Sequence, residues 1–388
     1  MTKRHPRPAA ISAIAAFGVW FSALLLVVAA QSAPARAKGQ NPIPGPAGSR
    51  ERTGAELYQA ACAACHGRDG RGAPQSLVGL DIPLPDFTDC AFGTPEPDSD
   101  WMAVAHDGGP ARAFDRRMPA FGEALSLEEL QRAIDHVRTF CTNKAWPRGE
   151  LNLPRAFVTE KAFPENEFVI TTIAATGEVG NELLYERRVG PRSMFEVKVP
   201  IGFVEREGGG WQQGLGDVAF ALKHALYHDR DAGSIFSVAG EVVFPTGKEG
   251  QGLGKGVTIF EPFVAFGQIL PSDGFVQAQI GMELPANRAI AQNETFFRFT
   301  AGKSFTQARW GRTWSPMVEL LGARELVSRE STVWDLLPQM QVTLSKRQHI
   351  MMNAGVRVPL NEREGRSTRF LVYLLWDWFD GGFFEAWR

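Results

Sequence analysis

The chain has 388 residues, of which 44% are hydrophobic and 22% are charged, and its formal net charge at neutral pH is −2. This length predicts two or three domains rather than one. The near-neutral balance and the lack of any nucleic-acid-binding signature exclude nucleic acid as a partner. The charge is uneven, because residues 51–146 hold fifteen Asp and Glu against nine Lys and Arg.

The first 37 residues predict a signal peptide. Three basic residues near the start precede an apolar run over 11–30, and small residues at 33–37 form cleavage sites. An uncleaved anchor is the alternative, because the run is just long enough to span a bilayer. Both predict export, which permits disulfides. A Pro/Gly-rich stretch over 38–50 then predicts a flexible tether.

The motif Cys62-Ala63-Ala64-Cys65-His66 carries the most specific chemical signal in the chain. This C-x-x-C-H spacing is the attachment signature of c-type haem, with both thiols bonded to the porphyrin and the histidine as proximal iron ligand. The alternatives are a redox pair or half of a zinc site. The sequence has no second C-x-x-C to complete a zinc tetrad. We therefore predict one covalently bound haem c.

Two helix-start patterns bracket a long irregular segment. A capping box at Thr53 predicts a helix that reaches the haem cysteines, and a second one at Ser126 predicts a closing helix to about Phe140. Between them the sequence is rich in glycine and proline, with one short helical stretch near 101–106. This outline is that of a class I cytochrome c, a small all-α domain, which residues 51–146 resemble.

The resemblance places the second axial ligand in the loop before the closing helix. Met118 lies there, and its Met-Pro dipeptide is similar to the one that carries the distal ligand in that family. His/Met ligation implies a raised reduction potential. The alternative for Met118 is a gap-filling core residue. His106 is the rival ligand and would give a bis-histidine haem, although we expect it at the pocket rim or the surface, and we expect His136 to be structural.

Cys90 and Cys141 are the two cysteines left over from the haem motif. In an exported domain such a pair favours a disulfide, which here would tie the irregular segment to the end of the closing helix. The alternative is two buried free thiols.

From residue 167 onward the sequence alternates between apolar and polar residues. One run sets Phe195, Val197 and Val199 against Glu196 and Lys198. A sequence in which apolar and polar residues alternate, so that one face is apolar, predicts half-buried strands. The segment before them, 147–166, contains three prolines and follows neither period, so it predicts an extended connector.

The length of the runs separates a membrane barrel from a secreted β-sandwich. Each run has about ten residues, as tilted membrane-spanning strands require. We predict an antiparallel transmembrane β-barrel of about twelve strands over residues 167–388. The strands are expected to begin near Phe168, Glu182, Met194, Gly216, Ser234, Val257, Phe275, Thr295, Ser315, Thr332, Ile350 and Arg369. Tryptophans near strand ends predict an interfacial girdle, formed by Trp310, Trp314, Trp334, Trp376 and Trp378.

The connections alternate between tight turns, as at Gly190 and Pro271, and longer loops, as at 245–256. An even strand number puts both barrel ends on one side, and therefore the haem domain on the periplasmic side with the short turns. A twelve-stranded lumen is too narrow to enclose that domain, so we expect it below the barrel. Charged lumen-facing residues predict a wetted interior, lined by Glu196, Glu241, Glu261, Glu283, Arg298 and Arg357.

Three motifs in the second half carry a further resemblance: Glu182–Arg187 (ELLYER), Gly214–Val218 (GLGDV) and Phe244–Gly247 (FPTG). They are similar to motifs of a bacterial outer-membrane family first linked to the phenol meta-cleavage pathway and described as transporters. The overall plan also resembles the fused monohaem cytochrome–porins of iron-oxidising bacteria. This chain departs from them in its complete cytochrome domain and shorter barrel, so iron oxidation does not follow from the resemblance.

These features predict electron transfer at or across the outer membrane of a Gram-negative bacterium. A haem with both axial positions filled has no open site for substrate chemistry, so we expect an electron carrier rather than an enzyme. The acidic haem domain predicts a basic periplasmic redox partner, and the remaining expected partners are outer-membrane lipid and an extracellular electron donor or acceptor. The alternative is a channel for small solutes, aromatic or hydrophobic in character, with a tethered electron carrier. A third reading makes the barrel only an anchor.

Overall fold

The computed structural model describes residues 51–79, 84–206 and 208–378. The predicted signal peptide and tether lie outside the described residues. Within the described part, six α-helices precede fourteen β-strands. None of the helices in this part has the length and apolar character needed to cross a membrane.

The helices are short and lie in the first third of the chain. They are α1 (Gly54–Ala61), α2 (Ala63–His66), α3 (Gln75–Val78), α4 (Cys90–Gly93), α5 (Asp98–Asp107) and α6 (Leu127–Arg138). Both predicted capping boxes are present. The side chains of Thr53 and Ser126 each accept a hydrogen bond from the backbone N–H of the glutamate three residues later.

Helices α1, α5 and α6 share one apolar core. Its buried members include Leu57, Met102, Leu130 and Ile134. At the N-terminus of α1 the helices approach so closely that a Cβ at Gly54 would overlap the carbonyl oxygen of Arg132. Glycine is therefore required at this crossing.

The strands are β1 (Glu167–Ala175), β2 (Glu178–Val189), β3 (Ser193–Glu205), β4 (Trp211–Leu215), β5 (Val218–Asp229), β6 (Ser234–Phe244), β7 (Ile259–Leu270), β8 (Gly274–Pro285), β9 (Glu294–Lys303), β10 (Phe305–Thr306), β11 (Thr313–Glu325), β12 (Val333–Thr343), β13 (Ile350–Pro359) and β14 (Arg369–Asp377). All pairings between neighbours are antiparallel.

The sheet closes on itself. Strand β1 pairs with β14, with Thr171 opposite Tyr373, and β9 pairs with β11. Strand β4 extends β5 along β3, and β10 extends β9 along β11. The described residues therefore form a closed antiparallel barrel with twelve strand positions, which confirms the predicted fold class. Closure leaves no unpaired strand edge.

The two faces of the wall follow the predicted alternation. On β5, Phe220 and Leu222 are exposed to the outside, whereas Ala221 and Lys223 are buried in the interior. The same exposed apolar surface continues around the barrel at Phe266, Ile280, Phe297, Phe299, Leu320, Leu336, Met352, Phe370 and Val372. An apolar outer face around a polar interior is the arrangement that a lipid-embedded barrel requires.

The predicted girdle is wrong for Trp310. This residue lies between β10 and β11, and its carbonyl oxygen accepts a 2.7 Å hydrogen bond from Nη1 of Arg112 in the helical domain. Its indole ring lies 6.0 Å from the ring of His106. Trp310 therefore contacts the helical domain rather than the lipid interface.

The connector behaves differently from the prediction. Residues 149–166 are irregular, as expected, but they lie inside the barrel, where Leu151, Phe163 and Glu165 are almost fully buried. We call residues 149–166 the plug. The predicted wetted interior is consequently wrong for Glu196 and Glu241, which are buried in ion pairs with Lys198.

Candidate haem site and the plugged barrel

The haem motif lies at the junction of α1 and α2. The carbonyl oxygen of Cys62 accepts hydrogen bonds from the backbone N–H groups of Cys65, at 3.2 Å, and His66, at 2.9 Å. Both cysteines are free thiols and partly exposed. Burial, with the nearby Cys65, raises the pKa of Cys62 to about 11. One tight turn therefore presents two unpaired sulfurs and a histidine together.

Tyr58 holds the turn that follows the motif. Its buried hydroxyl group donates a 2.7 Å hydrogen bond to the carbonyl oxygen of Gly67, which takes a left-handed conformation at the end of α2. The Tyr58 ring packs against His136 and Phe140 on the other side. His136 thus lies in the packing between α1 and α6.

His66 has the properties that an iron ligand needs. Burial lowers its pKa to about 4, so the imidazole is neutral at physiological pH. The ring stacks on Phe87 at 4.9 Å. Its Nδ1 atom is buried and has no hydrogen-bond partner within the described part of the protein. A neutral imidazole beside two free thiols fits covalent haem attachment with His66 as proximal ligand.

Met118 lies in a turn fixed against the end of α5. Its carbonyl oxygen accepts a 3.0 Å hydrogen bond from the N–H of Gly109, and its own N–H donates to Asp115 at 3.1 Å. A Cβ at Gly108 would lie 3.0 Å from the Met118 carbonyl oxygen. The adjacent glycines therefore let this loop lie close to α5, and α5 reaches Phe87 through Trp101.

The rival ligand, His106, has both ring nitrogens engaged elsewhere. Nδ1 lies 2.5 Å from the carboxylate of Asp107, and Nε2 accepts a 3.0 Å hydrogen bond from Arg309 of the barrel. These contacts turn the imidazole toward the barrel. The arrangement favours Met118 as the distal ligand, which stays a prediction.

Replacing Met118 with alanine is expected to abolish the weak red absorption band of methionine-ligated ferric haem and to lower the reduction potential, because a soft thioether stabilises Fe(II). His106→Ala serves as the matched control and should keep both properties. Absorption spectroscopy and potentiometric titration of the purified proteins measure them. The opposite pattern, with the band lost only in His106→Ala, would contradict the assignment.

A disulfide joins Cys90 to Cys141, whose Cα atoms are 5.1 Å apart. Cys90 begins α4, and Cys141 lies three residues after the end of α6. The bond therefore connects the irregular middle of the domain to its closing helix.

The short turns of the barrel contact the helical domain, and we call this contact region the seam. Arg230, in the turn between β5 and β6, donates to Asp98 at 2.8 Å. His349, between β12 and β13, lies 2.9 Å from Glu96. Part of the acidic surface that predicted an external basic partner is thus matched by basic turns of the same chain.

Asp98 is the most connected residue of the seam. It accepts hydrogen bonds from Arg138 of α6, Arg148 before the plug and Arg230 of the barrel. Burial alone would raise its pKa, but the guanidinium groups outweigh burial and hold the pKa below its usual value. One carboxylate therefore connects the helical domain, the residue that precedes the plug and a turn of the barrel.

The plug enters the lumen from the seam and returns to it. Leu151 near its start and Phe163 near its end lie in one buried cluster with Ala225, Ile235 and Ala265 of the wall. The Asn152 side chain accepts from Lys161 Nζ at 3.0 Å and donates to Glu165 at 3.3 Å. The two arms thus lie side by side, and the residues between them reach deeper into the barrel.

Glu319 of β11 anchors the deepest part of the plug. Its carboxylate accepts hydrogen bonds from three successive backbone N–H groups, those of Phe157 at 2.9 Å, Val158 at 3.2 Å and Thr159 at 2.7 Å. The Thr159 hydroxyl group and Gln339 donate to the same carboxylate. Glu319 is fully buried, and successive N–H groups of this kind form an anion-binding nest.

Charged plug residues pair with charges on the wall. Arg155 donates to Glu186 at 2.9 Å and also pairs with Glu167. Glu160 lies 3.2 Å from Lys198. The Arg155 carbonyl oxygen accepts from the Tyr373 hydroxyl group at 2.6 Å. The plug is therefore bonded to strands on several sides of the lumen.

Sequence reasoning missed the plug residues because they follow no structural period. The available signal was the density of charge, with Arg155, Glu160 and Lys161 between prolines at 154 and 164 and Glu165 directly after the second proline. A solvated linker also has that composition. Only the pairing with wall residues distant in sequence separates the two.

Comparison with known families decides the nature of the helical domain. Residues 49–137 match the family model described as cytochrome c oxidase, cbb3-type, subunit III. The helical domain is a c-type cytochrome domain. The family implies haem as the cofactor, and in this sequence only Cys62 and Cys65 stand in a C-x-x-C-H motif. No curated protein matches the chain.

Among solved structures, an outer membrane channel from Pseudomonas putida F1 is 11% identical with a TM-score of 0.43 and covers 58% of this chain and 100% of its own. The NanC porin is 9% identical with a TM-score of 0.39, covering 55% and 98%. The KdgM porin in complex with disordered oligogalacturonate is 8% identical with a TM-score of 0.37, covering 55% and 99%. The second half of this chain is a closed antiparallel barrel with an apolar outer face, and it follows the c-type cytochrome domain in the same chain.

Proposed function

We propose that this protein is a monohaem electron carrier mounted on the outer membrane, which exchanges electrons on the side where the cytochrome domain lies. The observation that carries the proposal is the combination of a docked cytochrome domain with a filled barrel. Arg112, Arg230 and His349 connect the domain to the barrel, while the plug occupies the lumen. The barrel then serves to hold the haem at the membrane surface.

Four residues would hold the haem, and two others position them. Cys62 and Cys65 would attach the haem, and His66 and Met118 would bind its iron. Haem, when bound, supplies reversible one-electron chemistry. Tyr58 and Phe87 fix the motif and the His66 ring, as their contacts at 2.7 Å and 4.9 Å indicate. With His66 and Met118 both bound to the iron, the haem would have no open site for a substrate, so we propose an electron carrier rather than an enzyme.

We infer a periplasmic orientation for the cytochrome domain. In bacterial outer-membrane barrels the short turns face the periplasm and the longer loops face outward. The cytochrome domain contacts the turns at 190–192, 230–233 and 345–349, whereas the loops at 245–258 and 360–368 lie at the other end. This orientation also suits haem attachment to an exported chain.

A periplasmic redox protein is the proposed partner. Several acidic residues of the cytochrome domain are exposed, among them Asp69, Asp89, Glu123 and Glu128. We expect a basic partner whose association is steered by charge and weakens with salt. A route across the membrane would need further carriers over about 25 Å of apolar band, and the sequence contains a single C-x-x-C-H motif.

Proteoliposomes test this function. A membrane-impermeant reductant added outside is expected to reduce at once the haem of molecules whose cytochrome domain faces outward, and the rest only after detergent is added. Protease accessibility of the cytochrome domain measures the outward-facing fraction independently. If the reductant acted equally from both sides of an intact membrane, transfer would run across the barrel and the proposal would fail.

A further inference from the structure

The inner wall of the barrel carries more acidic than basic side chains. Acidic residues on the inner face of the described strands include Glu167, Glu182, Glu186, Glu196, Glu241, Glu261, Glu283, Glu319 and Asp335. The basic ones are fewer and include Arg188, Lys198, Lys223, Arg298, Arg357 and Arg369. A lumen of this kind attracts cations and repels anions.

The plug places its own cations against this acidic wall. The guanidinium group of Arg155 lies between Glu186 and Glu167, and the ammonium group of Lys161 lies 3.3 Å from Glu167. These wall carboxylates thus already bind one guanidinium and one ammonium group. A free solute with the same group could take the same positions if the plug moved away.

The plug is held by polar and by apolar contacts, and water can replace the polar ones. Its deepest part, residues 154–160, is bonded through Glu319, Gln279 and Tyr373 of the wall. In the stem, Leu151 and Phe163 share a buried cluster. In the deep part, Phe157 and Val158 also pack against apolar wall residues that include Leu321. Net contributions of single hydrogen bonds are modest, and several of them join the deep part to the wall. We infer that the deep part is the portion displaced, while the stem and seam stay in place.

We propose that the barrel holds a latent cation-selective pore, that residues 154–160 close it, and that Glu319 is the latch. The solutes are small cations, and protonated amines and guanidinium compounds fit best because Arg155 and Lys161 occupy their sites. This activity goes beyond electron carriage, since it concerns the lumen and not the haem. We assign the latch to Glu319 because it is the single wall carboxylate among the described residues that accepts hydrogen bonds from three successive N–H groups of the plug.

Planar-bilayer recording of the full, haem-loaded protein tests the proposal. Wild type should be almost silent. Glu319→Ala should raise the open probability at least about tenfold, the factor equivalent to about 1.4 kcal/mol. A deletion of 154–160 bridged by glycines should conduct continuously, with a reversal potential in a potassium chloride gradient that shows cation selectivity and with measurable guanidinium permeation.

Glu261→Gln is the matched control, because Glu261 lines the same lumen on β7 and has no hydrogen bond to the plug among the described residues. This variant should conduct no more current than wild type. Haem absorbance identifies correctly assembled variants. A folded deletion variant that stays silent or passes anions in preference overturns the proposal, and so does a wild type that conducts as well as the deletion.

A labelling experiment decides the matter if the deletion variant does not assemble. Ala156 lies in the deep part and is 3% exposed, so Ala156→Cys should react slowly with a water-soluble thiol reagent in otherwise wild-type protein. Adding Glu319→Ala should speed labelling at least about tenfold by the same free-energy relation, and adding Glu261→Gln should not. Equal labelling rates with and without Glu319→Ala would overturn the proposal that Glu319 keeps the plug closed. Haem reduction in proteoliposomes is unaffected by either result, so the two proposals fail separately.

Discussion

Arg155→Met is expected to lower the free energy of unfolding of the barrel by about 3–5 kcal/mol, because removing one member of a buried ion pair leaves an uncompensated charge. Arg155 is 8% exposed and its partner Glu186 is fully buried, at a separation of 2.9 Å. Methionine keeps the length of the side chain, so the lost charge dominates the effect. Urea unfolding in lipid vesicles measures the change.

Two further variants make this result specific. Arg357→Met also removes a lumen arginine, but its partner Asp335 keeps a second cation, Arg366, so the loss should be much smaller. Glu186→Gln added to Arg155→Met should recover a large part of the stability, because no unpaired carboxylate then remains. Equal losses for Arg155→Met and Arg357→Met would contradict the central position of Arg155 in the plug.

Removal of the disulfide by Cys90→Ala with Cys141→Ala is expected to destabilise the cytochrome domain by about 4 kcal/mol, the loop-closure value for its length. The two cysteines are 51 positions apart in sequence, and the segment that they enclose contains only the short helices α4 and α5 before α6. Thermal unfolding followed by haem absorbance measures the loss.

The wild-type protein treated with a reductant is the matched control, and it should unfold at the temperature of the double variant. The barrel should be unaffected, because its strands close independently of this bond. If the oxidised wild type and the double variant unfolded at the same temperature, the bond would contribute nothing to the stability of the domain.

The barrel was predictable because apolar and polar residues alternate along its long strands. Lipid on one side and a polar interior on the other impose the same alternation on each wall segment, as Phe220 and Lys223 on β5 illustrate. Predicted strand starts such as Phe168, Ser234 and Ile350 consequently agree with the observed starts at 167, 234 and 350. The capping boxes were equally local and therefore equally readable.

The seam and the plug were not predictable, because both depend on pairings between residues far apart in sequence. Nothing near Glu319 indicates that it accepts the N–H groups of residues 157–159. Similarly, Trp310 has the composition of a girdle residue, and only the docked cytochrome domain changes its environment. From the sequence alone, a charged side chain that faces the lumen is expected to contact water, because the partner that buries it lies far away in the chain.

Hydrogen–deuterium exchange of the wild-type protein in lipid nanodiscs tests most directly the claim that the cytochrome stands on a filled barrel. We expect the amides of 157–160, bound to Glu319 and Gln279, to exchange as slowly as those of β11, which forms part of the barrel wall. Exchange of this segment at the rate of an unstructured peptide, with the barrel strands protected, would contradict it.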